Sequence, residues 1–327
     1  MPAAYQPDRV PVAGGDLAVA RWGTGDQLVF ASHGITANHR SFTAVAEALV
    51  TQSGHSLSLV ALDHRGRAAS ANVDGPFGLT VHADDVIAVM DHYGAAQAVL
   101  VGHSMGGFVV ANAAERHPDR VSRLVLVDGG LPFPAATWVP GDELIASAPV
   151  VPADHDQAAV EAAIHAVIGP ALARLDLHWD SEDDYVEFFR NHPAFQPPNQ
   201  WTSTVEDYLR FDAVIDPAGQ IRSSVNKAAV LVDGAAAIVD PVAAAAATRI
   251  TTPSALLWCP RGLLDQTPGL YPPGFAAAVA DRFDHLDAQE VVDTNHYTVM
   301  TTDAGAKVVA AAVISAVSAD QPAPGSG

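Results

Sequence analysis

A single cysteine, Cys259, stands among 327 residues. It excludes an intramolecular disulfide and any cysteine metal cluster, and it suits a reducing compartment such as the cytoplasm. Cationic residues are also scarce: 17 Lys and Arg against 37 Asp and Glu leave a net charge of −20. A surface that negative repels phosphate backbones and anionic lipid, which argues against nucleic acid and membranes as partners. No apolar run reaches the ~20 residues of a membrane span, and the alanine-rich stretch 234–248 is broken by Asp240 and Pro241. The first 16 residues lack the basic start and apolar centre of a secretory signal. There is no internal repeat of ~20–50 residues.

What remains is the composition of an ordinary globular enzyme, 49% hydrophobic and 17% charged, in a chain long enough to bury a full core. Up to about residue 130, short apolar runs alternate with helical patterns, the mark of strand–helix–strand units. Strands are expected at 17–22, 28–32, 57–62, 98–101 and 121–127, and helices at 42–51, 80–93 and 105–116. Thr80 is the expected N-cap of the second helix, and Gly94 lies just past its end. From 131 to about 250 no strand run is evident. Pro132, Pro134 and Pro140 open a stretch rich in aromatics (Trp179, Tyr185, Phe188, Phe189, Phe195, Trp201, Tyr208, Phe211) that reads as a mostly helical insertion. Strands return at 254–259 and 288–293, and a helix at 304–317 closes the pattern; the tail beyond Ser318 reads as disordered.

The chemistry centres on Val99-Leu100-Val101 running into Gly102-His103-Ser104-Met105-Gly106-Gly107, with a helix at once after it. This is G-x-S-x-G in a strand–turn–helix context, which lifts a serine Oγ clear of a sheet at a helix N-terminus. The segment resembles the nucleophile elbow of the α/β-hydrolase superfamily. The resemblance covers about 10–131 and 251–317, and Asp63-His64-Arg65-Gly66-Arg67-Ala68-Ala69-Ser70 resembles a second landmark of that family, D-x-R-G-x-G-x-S, with Ala68 in place of its second glycine.

The resemblance implies an α/β fold with a mostly parallel central sheet flanked by helices. The core would be discontinuous (1–131 and 251–327), with a helical cap at 132–250. It implies Ser104 as nucleophile and His296, in Val291-Val292-Asp293-Thr294-Asn295-His296 after the last strand, as its base. His103 should point away from the serine. The acid that orients the histidine has two candidates: Asp265, in Gly262-Leu263-Leu264-Asp265, is favoured, and Asp128, at the end of strand 121–127, is the alternative. The oxyanion donors are expected to be the backbone N–H groups of Met105 and of Ile35, in Ser32-His33-Gly34-Ile35. His33, His39, His55 and His64 match no metal-ligand spacing, and no cofactor is called for.

The expected reaction is hydrolysis of a neutral, fairly apolar small ester or lactone through an acyl-enzyme. Alternatives on the same triad are carbon–carbon bond hydrolysis, hydroxynitrile lysis and cofactor-free haloperoxidase or perhydrolase chemistry; a non-catalytic receptor is the third reading. The sequence leaves the oligomeric state open.

Overall fold

The computed structural model describes residues 3–134 and 157–320. Parts of the expected cap and tail therefore lie outside the described residues. The first strands are β1 (Tyr5–Val12), β2 (Gly15–Trp22) and β3 (Gln27–Ser32), followed by helix α1 (Thr43–Gln52) and strand β4 (Leu57–Leu62). Next come α2 (Leu79–His92), β5 (Ala98–His103), α3 (Met105–Arg116) and β6 (Val121–Val127). The insert between β6 and β9 contains α4 (Gln157–Arg174), α5 (Glu182–Arg190), α6 (Ser203–Asp212), β7 (Ala213–Ile215), β8 (Ile221–Ser223) and α7 (Lys227–Ile238). β9 (Ser254–Trp258), α8 (Phe275–Arg282), β10 (Leu286–Glu290), α9 (Thr298–Thr301) and α10 (Asp303–Asp320) complete the chain.

Eight strands form one sheet in the order β1-β2-β4-β3-β5-β6-β9-β10. The β1–β2 and β2–β4 pairs are antiparallel and the others parallel. β4 and β5 are buried at every position, as strands covered on both faces must be. Alternation divides their side chains between two cores. Phe30, Leu100, Leu126 and Leu256 face the side covered by α2 and α3. Val29, Val101, Val125 and Leu257 face the side covered by α1 and α10.

Four details differ from the sequence reading. β1 was not anticipated, because its exposed edge carries polar residues and two prolines (Pro7, Pro11). α8 was missed too, between the strands expected near 254 and 288. α2 begins one residue before Thr80, with Gly78 in the N-cap position at φ 119°, a conformation that favours glycine. The insert is not purely helical, since β7 and β8 pair as a short antiparallel ribbon. Most of its aromatics pack on one another: Tyr185, Phe189 and Phe195 are buried in one cluster, with Trp179 and Trp201 against it.

Candidate active site

β5 delivers the chain straight to Ser104, and α3 starts at the next residue. Ser104 has φ 56° and ψ −123°, a strained backbone for a residue with a side chain, costing about 1–3 kcal/mol. It is held by Ser104 N–H donating to the Val127 carbonyl at 2.9 Å, while the Ser104 carbonyl accepts from Gly107 N–H at 2.9 Å. The motif's glycines follow from this crowding. A Cβ on Gly106 would lie 1.9 Å from the Ser32 carbonyl oxygen, and one on Gly102 would lie 2.2 Å from that of Gly106. Met105 opens α3, so its N–H has no partner within the helix and sits at the positive end of the dipole.

The loop after β3 runs beside the serine: a Cβ on Gly34 would be 3.2 Å from Ser104 Cβ. The carbonyl of the Gly34–Ile35 peptide accepts from His33 Nδ1 at 2.7 Å and from Ala37 N–H at 3.0 Å. The N–H of the same trans peptide, that of Ile35, points the opposite way and has no acceptor among the described residues. His33 Nε2 accepts from His64 N–H at 3.1 Å, which fixes the proton on Nδ1. Burial pushes the His33 imidazole down to about 3, so it stays neutral. The next carbonyl, that of Ile35, accepts from Arg67 Nε at 3.0 Å. Arg67 is fully buried and pairs through Nη1 with Asp233 Oδ2 of α7 at 2.6 Å. Burial alone would raise the Asp233 carboxyl, but Arg67 and His82 bring it down to about 2.

His296 lies between β10 and α9. Its Nδ1 meets Asp128 Oδ2 at 2.7 Å. Here the favoured sequence reading is corrected: the partner of His296 is Asp128, not Asp265. Asp128 follows β6, the strand beside β5, and is wholly buried. Its other oxygen, Oδ1, accepts from Cys259 N–H at 3.0 Å. Asp265 falls one residue short. Its Oδ1 accepts from Asn295 Nδ2 at 2.8 Å, and its Oδ2 lies 3.3 Å from Arg261 Nη1. Asn295 in turn accepts through Oδ1 from the N–H groups of Tyr297 and Thr298, both at 2.9 Å. Asp265 thus steadies the turn that carries His296 without touching the imidazole.

Ser104 and His296 face one cavity with two narrow lobes, of about 50 and 30 Å3. Ile35, Ile168 and Leu263 border both lobes. Ile168 is brought there by a break in α4, where its φ of −124° precedes Pro170. The smaller lobe is apolar, with Phe108, Phe133, Ile238 and Leu270 in its wall. The larger carries Thr36, Ser41, Tyr208, Tyr297 and Thr301, and among the insert's described aromatics only Phe195 and Tyr208 reach it. His103 also borders this lobe, contrary to the expectation that it points away. Its Nε2 donates to the His296 carbonyl at 2.9 Å.

Asn295 and Arg67 were not singled out from sequence. Asn295 had a signal in its adjacency to His296. Arg67 sat inside a recognised landmark, but nothing local announced its distant partner on α7.

Fold and site geometry define the class, and the comparisons agree. A family model described as the alpha/beta hydrolase fold matches residues 27–155. The chain has the α/β-hydrolase fold. It is 32% identical over 120 residues to a 2-(acetamidomethylene)succinate hydrolase of Mesorhizobium japonicum, covering 37% of this chain and 41% of that protein. It is also 32% identical over 126 residues to a bifunctional esterase/perhydrolase of Acinetobacter calcoaceticus, covering 38% of this chain and 45% of that one. The matched stretch thus spans less than half of either relative. The crystal structure of E-2-(acetamidomethylene)succinate hydrolase superposes with a TM-score of 0.70 at 19% identity, over 96% of this chain and all of that one. No described helix is long and apolar enough to cross a membrane.

Proposed function

We propose that this protein is a serine hydrolase acting on a small, neutral carboxylic ester or lactone, in the cytoplasm. The observation that supports it best is a strained serine at a helix N-terminus, sharing a cavity with a histidine whose Nδ1 is held by a buried carboxylate. In this reading Ser104 Oγ attacks the carbonyl carbon and His296 Nε2 takes its proton. The tetrahedral oxyanion accepts from the N–H groups of Ile35 and Met105. Collapse breaks the C–O bond, and the leaving alkoxide takes the proton from His296. Water then attacks the acyl-enzyme, again giving a proton to His296; the acyl C–O bond breaks, Ser104 Oγ takes that proton back, and the carboxylic acid departs. Asp128 keeps the imidazole in the right tautomer and stabilises the imidazolium that forms. The insert acts as a cap, since its residues Ile168, Phe195, Tyr208 and Ile238 close the cavity.

A second reading keeps the triad and changes the reaction, toward carbon–carbon cleavage or perhydrolysis; one relative is named for both esterase and perhydrolase activity. The test is to treat the wild type and Ser104→Ala with a fluorophosphonate probe and a panel of ethyl esters and lactones. The proposal expects Ser104-dependent labelling together with ester or lactone turnover. Labelling without turnover would move the assignment to the second reading. An unlabelled wild type would overturn both.

A further inference from the structure

The larger lobe of the cavity is lined by polar residues that the hydrolytic mechanism does not use. Ser41 is 8% exposed and its Oγ is buried without a hydrogen-bond partner; His103 is 5% exposed and its Nδ1 is likewise unpartnered. Because His103 Nε2 donates to the His296 carbonyl, and burial beside His296 keeps the ring neutral, Nδ1 presents a lone pair. The phenol hydroxyls of Tyr208 and Tyr297 also have no partner among the described residues. Burial raises both phenols, so they remain protonated donors. Buried polar groups are normally paired, and each one left alone costs free energy that a ligand can recover.

We infer that this lobe is a binding subsite for a neutral hydrogen-bonding substituent of the substrate, a hydroxyl or a carboxamide, while the apolar lobe beyond Ser104 takes a small alkyl or aryl group. The charge balance argues for a neutral group. The cation whose charge acts on the lobe's tyrosines, Arg174, is already engaged by Asp212 at 3.4 Å and by the Tyr185 hydroxyl at 2.9 Å. Asp212 is further held by Ser223 and Ser224 at 2.7 and 2.6 Å. On the catalytic side the Asp128 carboxylate lies directly behind His296. A carboxylate entering the lobe would meet neutral hydroxyls, since the described residues that line it include no lysine or arginine. The inference rests on the serine-hydrolase reading and sharpens its substrate class: two unlike substituents, one on each side of the scissile carbonyl.

The experiment compares kcat/KM for four small esters: ethyl butyrate, ethyl 3-hydroxybutyrate, 2-hydroxyethyl butyrate and monoethyl succinate. One of the two hydroxylated esters is expected to exceed ethyl butyrate by about tenfold, the worth of one or two neutral hydrogen bonds. Monoethyl succinate is expected to be the poorest. Tyr208→Phe and Ser41→Ala should each move the hydroxyl-to-alkyl ratio toward one. A preference for ethyl butyrate or for the succinate, or a ratio that survives Ser41→Ala, Tyr208→Phe and Tyr297→Phe alike, would overturn the subsite. If the wild type hydrolyses none of the four, the ester reading fails separately. Calorimetry of Ser104→Ala with ethyl 3-hydroxybutyrate and ethyl butyrate then tests the lobe alone: tighter binding of the hydroxylated ester supports it, and equal binding overturns it.

Discussion

His296 can serve as a base only if its Nε2 faces the serine as a lone pair, and that requires the ring proton to reside on Nδ1. Asp128 meets that requirement at 2.7 Å from a wholly buried position. Asp128→Asn is therefore expected to lower kcat by about 10³–10⁴-fold, because an amide can stabilise the wrong tautomer and cannot stabilise the imidazolium. Asp265→Asn should be much milder, a loss of about tenfold or less, because it perturbs the Asn295 turn and leaves the Asp128–His296 pair in place. Steady-state kinetics of the two variants on one ester decides the matter, and equal losses would sink the distinction. The serine and histidine were legible in sequence because each sits in a local pattern: a glycine-flanked turn for Ser104, a strand end before a closing helix for His296. The acid was not, because both aspartates follow a strand and precede the histidine. Both loops reach the turn that carries His296, and only the placement of the side chains, Asp128 on the imidazole and Asp265 on Asn295, separates them.

Three elements meet at Arg67. Its guanidinium joins the loop after β4 to the Ile35 carbonyl in the loop after β3, and to Asp233 on α7. His82 of α2 reaches the same carboxylate, with Nε2 at 3.0 Å from Asp233 Oδ2. The oxyanion loop is thereby tied to the insert through a buried ion pair, so a shift of α7 is transmitted to the Ile35 peptide. Removing one partner of such a pair strands the other in the interior and costs about 3–5 kcal/mol. Asp233→Asn should accordingly lower stability by that order and also reduce kcat, because the loop loses its anchor. Arg67→Met combined with Asp233→Leu should recover most of the stability, since an apolar replacement of both charges is often neutral, while kcat stays low. Urea denaturation alongside kinetics separates the two effects; full recovery of kcat in the double variant would show that the tether does not position the loop. None of this was readable from the sequence. The period-two strands and the G-x-S-x-G turn are local signals, whereas the pairing of Arg67 with α7 arises only when the insert folds back onto the sheet.

At the scale of the whole molecule, the chain buries an unusual set of neutral imidazoles under a surface of net charge −20. His33 is pushed down to about 3 by burial, and burial also carries His64 and His103 well below the ordinary histidine value of 6.5. A group whose pKa is depressed by folding stabilises the fold above its unfolded value and loses that contribution as pH falls. Below pH 6.5 the unfolded chain takes up a proton at each of the three and the folded chain does not. His82 has the opposite sign: burial disfavours its charge but Asp233 outweighs this and raises it, so its contribution is present below 6.5 and fades at higher pH. The depressed carboxylates Asp63, Asp85 and Asp233 keep their contribution until pH falls through the acidic range. Between pH 7.5 and 5.5 the three neutral histidines dominate. At about 1.4 kcal/mol per proton per pH unit, stability should fall by up to about 4 kcal/mol across that interval. Chemical denaturation at pH 5.5, 6.5 and 7.5 measures it directly. A stability that is flat or that rises toward pH 5.5 would mean that the buried rings carry protons in the native state, and the neutral Nδ1–H tautomer of His33 that orients the Ile35 peptide would fall with it.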